Sequence, residues 1–345
     1  MGQPSRDGDK FLYIVYIGGH KAVYFSASEH PDLNPSPPRL TVTLGLLGGV
    51  LAVSAASIFI RFAQNEGAPS IVIAAYRLTI ASLVLAPLAL TRYRPELRSL
   101  VRQEWVLALL SGFFLAVHFA TWITSLQYTS VASSVVLVST TPLWVALLSP
   151  LVLRERISRI AVLGLALALT GSAVVGLSDS CTWQAGRLAC PTLRSFFAGT
   201  ASLGDALALT GAWMAAGYML VGRKLRAKMN LIPYIFVVYG MAAVVLIAIL
   251  FGMRESPFGY SPAVYLWVIL LALVPQLIGH STYNWALRYM PASFVSVALL
   301  GEPIGSTILA YFIFLEQPGW VKIAGAVLIL GGIWLASRTE GSRGS

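Results

Sequence analysis

From Trp105 to Leu153 the chain runs for 49 residues without one Asp, Glu, Lys or Arg. A bilayer-crossing helix needs about 20 apolar residues, so this run has room for two. Lipid cannot hydrogen-bond the backbone, and an uncharged run of this kind is therefore helical. Across all 345 residues only 11% are charged and 57% are hydrophobic, against about 25% charged in a soluble domain. That balance excludes a soluble enzyme, a disordered tail and a disulfide-rich secreted scaffold. The net charge of +10 raises nucleic acid as a partner. The basic residues, however, lie in short clusters between uncharged runs and not along one face, so the expected partner is the lipid bilayer and not nucleic acid.

Read in this way, the sequence predicts an all-α membrane protein of ten transmembrane helices. The runs are 40–60, 67–91 with Arg77 inside it, two within 105–153 that turn near Gln127–Ser130, and 160–178. After a polar loop come 206–222, 229–253, 256–287, 289–315 with Glu302 at its centre, and a stretch from Pro318 to 337 that includes Lys322. Residues 1–39 are expected to form a mobile cytoplasmic tail. Its Phe11–Gly18 run is too short to span, and no signal-peptide cleavage site follows it. With the N-terminus inside, 18 of the 24 Lys and Arg residues fall on the cytoplasmic side and only Arg61, Arg187, Arg194 and Arg254 outside. The positive-inside bias then puts both termini in the cytoplasm, the 178–201 loop outside, and the protein in the cell membrane.

The two halves resemble each other. Leu126 and Leu287, Tyr128 and Tyr289, Val136 and Val297, Pro142 and Pro303, Glu155 and Glu316, Gly164 and Gly325, and Gly171 and Gly332 are all 161 residues apart. His118 and His280 are 162 apart. Matches at proline, glycine and glutamate carry more weight than matches among interchangeable aliphatics. Five spans per half is an odd number, so the second copy lies upside down relative to the first. Inverted repeats are an architecture of secondary transporters, with the substrate near the midplane between the halves.

The first half carries Tyr76-Arg77-Leu78, Thr141-Pro142-Leu143, Leu153-Arg154-Glu155-Arg156 and a glycine-bearing helix from Gly164 to Gly171. The second carries Gly301-Glu302-Pro303-Ile304, Phe314-Leu315-Glu316-Gln317 and Gly325 to Gly332. On these motifs each half, roughly 42–177 and 202–337, resembles an EamA repeat of the drug/metabolite transporter superfamily. The resemblance implies a ten-helix carrier of the exporting kind for a small metabolite such as an amino acid or a related compound. One departure stands out: Tyr239-Gly240 occupies the region that matches Arg77, so any role of Arg77 is asymmetric.

Polar residues inside apolar spans are the candidate substrate- or ion-binding groups. A carboxylate at the bilayer centre costs about 3 kcal/mol, which makes Glu302 either a proton carrier, a partner for a cationic group, or a glutamate that caps a helix break before Pro303. Arg77 is either a carboxylate or phosphate clamp or an arginine that satisfies loose carbonyls between helices. His118 and Trp122 share a helix face, and His280, Tyr283 and Asn284 stand at the matching point of the second half. These two groups line a cavity that could stack a flat substrate, or they pack as an interfacial aromatic belt. Ser54, Ser57 and Ser139 to Thr141 are read as hydroxyls bonded within their own helices, and Gly301 and Gly305 as a helix-packing pair. Cys181 and Cys190 enclose a ten-residue external loop and are a candidate disulfide, with two free thiols as the competing reading.

No P-loop, H-E-x-x-H, C-x-x-C or G-x-S-x-G motif is present, and the four histidines do not suggest a metal cluster. The expectation is therefore no enzyme activity, no cofactor and no metal, with a small-molecule substrate and a proton as the coupling ion to be considered. The alternatives are a membrane enzyme acting on a lipid-linked substrate and a passive channel or sensor.

Overall fold

The computed structural model describes residues 12–17, 20–25, 37–128, 134, 137–155, 157–178, 182–184, 187–189, 201–314 and 319–338. The chain divides into two units, Met1–Pro38 and Arg39–Ser345. The first holds an antiparallel hairpin of β1 (Leu12–Ile17) and β2 (His20–Phe25), with Ile17 paired to His20. A hairpin thus stands where the sequence predicts a mobile tail. Leu12-Tyr13-Ile14-Val15-Tyr16-Ile17 is β-branched and aromatic almost throughout, a strand composition. Gly18-Gly19 is also a dipeptide that tight hairpins favour.

The second unit is helical. Its first half comprises α1 (Arg39–Ser54), α2 (Ala56–Asn65), α3 (Ser70–Thr91), the short α4 (Arg94–Ser99), α5 (Arg102–Ser125), α6 (Thr141–Val152) and α7 (Arg159–Ser178). A small hairpin of β3 (Thr182–Gln184) and β4 (Arg187–Ala189) follows. These strands are the described part of the 178–201 loop; Cys181 and Cys190 lie outside the described residues. The second half comprises α8 (Ala201–Arg226), α9 (Leu231–Gly252), α10 (Pro262–Leu271), a widened π-helical stretch Ala272–His280, α11 (Ser281–Ala286), α12 (Ala292–Ala298), α13 (Glu302–Phe314) and α14 (Trp320–Arg338). Pro275 lies inside the widened stretch. It lacks the N–H that a regular turn needs, and the helix relaxes around it.

Among the described residues, six helical stretches are long and apolar enough to cross a membrane: Arg39–Asn65, Ser70–Thr91, Arg102–Ser125, Leu231–Gly252, Pro262–Ala286 and Ala292–Ile313. Thr141–Val152, Arg159–Val174 and Ile323–Ala336 are apolar but shorter. Helix α8 is long but carries Asp205 near its start and Arg223, Lys224 and Arg226 in its last turns, which lower its apolar character. The protein is a multi-pass membrane protein, with its polarity arranged inside out. Trp320 is 86% exposed and Leu151 80%, whereas Arg77 is 1% exposed and Gln276 and Asn284 are fully buried.

Helices α7 and α14 pack along a glycine seam. A Cβ on Gly332 would lie 2.5 Å from the carbonyl oxygen of Gly164, and one on Gly164 2.7 Å from that of Gly332. Seven residues along α7, a Cβ on Gly171 would lie 2.6 Å from the carbonyl oxygen of Gly325. As the position advances on α7 it retreats on α14, so the helices run antiparallel. Gly164 and Gly171 are the residues whose counterparts at the 161-residue offset are Gly325 and Gly332. Each contact therefore maps onto the other when the halves are exchanged. The same exchange maps the packing of α5 on α8 onto that of α1 on the widened stretch, and α3 on α9 onto itself. Where α1 crosses α13, Gly305 faces Ser54. The Ser54 hydroxyl donates to the Val50 carbonyl at 2.7 Å and lies 3.1 Å from that of Glu302.

Candidate functional site: a polar cavity between the halves

Both halves contribute to one cavity, an empty volume of about 830 Å³ counting its mouth. Arg77, His118, Trp122, His280, Tyr283, Asn284 and Glu302 all line it. The structure thus brings together seven residues that the sequence placed on four separate helical runs. Around them lie apolar side chains such as Val53, Leu115 and Leu300.

Arg77 stands on α3. Its Nε donates to Gln276 Oε1 at 2.7 Å, and its guanidinium carbon lies 4.3 Å from the centre of the Phe119 ring. Nη1 and Nη2 are buried and have no protein partner. A buried guanidinium held on one edge and over one face, with its fork unpaired, is a ready anion clamp. Glu302 is the first residue of α13, directly after a tight turn at Leu299–Gly301. It is close enough to Arg77 and Tyr283 to interact with them electrostatically. The Arg223–Glu155 pair, by contrast, is in direct ionic contact. Glu302 is only partly buried because it faces the cavity.

The two histidines come from corresponding helices. His118 Nδ1 lies 2.9 Å from the carbonyl oxygen of Gly211. A carbonyl only accepts, so Nδ1 carries the proton and donates. The His118 ring stacks on Trp122 at 5.9 Å between centres and 9° between planes. His280 meets Phe119 edge-on at 5.4 Å and Tyr283 at 5.7 Å. His280 Nδ1, the Trp122 indole Nε1 and the Tyr283 hydroxyl are buried without a protein partner. Asn284 Nδ2 donates to the Tyr218 hydroxyl at 2.5 Å and to the His280 carbonyl at 2.8 Å, with Tyr239 Oη at 3.4 Å. Tyr239 Oη in turn lies 3.2 Å from Ser281 Oγ.

Gln276, Tyr218, Tyr239 and Phe119 are members of the site that charge and periodicity missed. Tyrosine in a span reads as an interfacial anchor, and a lone glutamine carries no charge to mark it. The available signal was the offset, because Tyr239 is the counterpart of Arg77.

At one end of the bundle Arg223 Nε donates to Glu155 Oε1 at 2.8 Å. Its Nη1 donates to the carbonyls of Leu287 at 2.7 Å and Arg288 at 3.1 Å. One guanidinium thus ties α8, the segment after α6 and the end of α11 together.

A helical membrane body with a partly open cavity, mostly apolar and set with a few polar side chains, defines the class: a multi-pass membrane protein with a chamber between its helices. The EamA-like transporter family model matches residues 40–177 and again 202–338, and the chain belongs to that family. Among its relatives, an archaeal protein from Archaeoglobus fulgidus named as an uncharacterized transporter is 24% identical over 287 residues, covering 82% of this chain and 92% of the relative. The uncharacterized transporter YetK of Bacillus subtilis is 25% identical over 298 residues, with 84% of each chain covered. A protein of known crystal structure superposes with a TM-score of 0.69 at 20% identity, covering 89% of this chain and 100% of that one; this likeness concerns the fold alone.

Proposed function

We propose that the protein is a secondary transporter that carries a small organic solute across the cell membrane by alternating access, most simply as an exporter. The observation that carries this reading is the cavity, because it gathers every intramembrane polar candidate of both halves at their junction. Membership of a transporter family and the names of the relatives support it. The reading takes the ten helical runs as spans, in two inverted copies of five. The antiparallel, exchangeable glycine seam between α7 and α14 supports the inversion.

Two such copies supply a device at each end. The Arg223–Glu155 latch closes the end rich in basic residues, taken as cytoplasmic. Its counterparts by offset are Arg61 and Glu316. Arg61 is exposed here, and Glu316 lies outside the described residues. One latch holds while the other is released, and the cavity faces one side at a time. Glu302 is placed to carry a proton or to pair with a cationic group of the solute.

The test is counterflow in liposomes of the purified protein. Trans-stimulated uptake of a labelled solute is the expected result. Flux without trans-stimulation would make the protein a channel, and turnover without flux an enzyme.

A further inference from the structure

We infer that the cavity selects a flat aromatic monocarboxylate, whose carboxylate is held by Arg77 and whose ring lies against His118 and Trp122, and that Gln276 is the positioning residue that aims Arg77. This rests on the cavity being a solute site, as proposed above, and adds the chemistry of the solute.

The first support is the arginine fork. Arg77 is 1% exposed and makes its hydrogen bond through Nε alone, while Nη1 and Nη2 line up unpartnered. An unpaired charge in a buried site is costly, so the two free donors need an acceptor during the working cycle. The planar pair of oxygens on a carboxylate fits both at once.

The second support is the wall beside it. The His118 and Trp122 rings are stacked with nearly parallel planes, 9° apart, and line the cavity together with Tyr283 and Phe119. Such a surface takes a ring on its face. The indole N–H of Trp122 and the hydroxyl of Tyr283 are unpartnered and suit an acceptor on the ring's rim.

The third support is the charge balance. Among the described residues Arg77 is the sole guanidinium on the cavity wall, and Glu302 shares the chamber. A dianion such as a phosphate monoester would face one cation and one carboxylate, and would leave a charge without a partner. A monoanion leaves none when Glu302 carries its proton, whereas a dianion leaves one even then.

Gln276 controls the geometry. It sits in the widened stretch next to Pro275, and its Oε1 accepts from Nε at 2.7 Å. That bond fixes the plane of the guanidinium, and so the direction of the fork.

The experiment measures binding to the full-length protein in detergent by calorimetry. The probes are 4-hydroxyphenylacetate, its neutral alcohol 2-(4-hydroxyphenyl)ethanol, its amine tyramine, and the ring-free acid hexanoate, with phenyl phosphate as the dianion. The acid is expected to bind about tenfold or more tighter than the alcohol, the amine and the phosphate, the size of a charge-assisted bidentate contact, and tighter than hexanoate by the contact of the ring. Gln276→Leu is expected to bring the acid down to the affinity of the alcohol and to leave the alcohol unchanged. A merely structural role would weaken both alike. Arg77→Lys, which keeps the charge and loses the fork, is expected to act in the same direction. Equal or tighter binding of tyramine or phenyl phosphate overturns the inference, as does parallel loss of acid and alcohol in Gln276→Leu, or no binding of any probe. Counterflow is read separately. If the acid binds but does not exchange, the transporter reading fails and the carboxylate site stands; if other solutes exchange and the acid does not bind, the reverse holds.

Discussion

The two halves share their scaffold and differ in their chemistry. The glycines and prolines that bring helices together recur, Gly164 and Gly325, Gly171 and Gly332, Pro142 and Pro303, and so does one pair at the cavity, His118 and His280. The other positions at and around the cavity do not. Arg77 is answered by Tyr239, Thr141 by Glu302, and Trp122 by Asn284. Exchange of conformations between halves needs matched packing surfaces, because each must be able to adopt the other's arrangement. A solute has no such symmetry. A chamber made of two identical walls would offer two equal half-sites, and the substitutions give it one cation and one anion instead.

The comparison breaks first at the seam. Gly332→Leu is expected to prevent folding, since the added side chain would overlap the carbonyl of Gly164. Overpacking of this kind costs about 1–3 kcal/mol where the backbone can shift and more where it cannot. Gly171→Leu should fail equally, by the reciprocal contact. Monodisperse elution of one variant and aggregation of the other on size-exclusion chromatography would show that the halves do not pack as equivalents.

The second effect concerns Arg77 against Tyr239. Arg77→Gln is expected to lower counterflow by about 10- to 100-fold, the range of a charged hydrogen-bonding group. Tyr239→Phe, which removes one hydroxyl from the Asn284–Ser281 network, should cost less than about tenfold. Equal losses would make the asymmetry structural and not chemical. Third, Glu302→Gln should leave the protein folded, slow counterflow and flatten its dependence on pH between about 5 and 8, because glutamine keeps the volume but carries no proton. Thr141→Val, at the corresponding position, should leave the pH profile unchanged.

The smallest effect is at the latch. The side chains of Arg223 and Glu155 are 23% and 22% exposed, so solvent screens the pair, and exposed ion pairs contribute about 0–1 kcal/mol. Glu155→Gln is expected to shift the balance of inward- and outward-facing states only a few-fold. The measurement is labelling of single cysteines placed at either mouth, with Cys181 and Cys190 replaced by serine.

Much of this was legible in the sequence because a bilayer is an unforgiving solvent. A charge or an imidazole inside an apolar run must face protein, which is why Glu302, Arg77, His118 and His280 could be named before any packing was known. The helical runs were legible for the same reason. What charge and hydropathy could not show was which neutral residues complete the site. Gln276 gains its role from the widened turn at Pro275, a feature of backbone geometry and not of hydropathy. Tyr218 and Tyr239 owe theirs to contacts with Asn284 and Ser281 made between helices of the second half. The β1–β2 hairpin was overlooked because a run too short to span was not weighed as a strand, although its alternating β-branched and aromatic residues and the Gly18-Gly19 pair signal one.

The seam between α7 and α14 has the logic of an isologous dimer interface: one surface meets a copy of itself turned by half a revolution. Here both copies belong to the same chain. The peptide between them therefore supplies proximity and not complementarity. A polypeptide cut in the 178–201 segment should assemble from its separately expressed pieces, because the information for pairing lies in the glycine faces and survives the loss of the link. In that sense the molecule is a heterodimer whose subunits were joined end to end, free to diverge at the chamber while their shared face holds them in register.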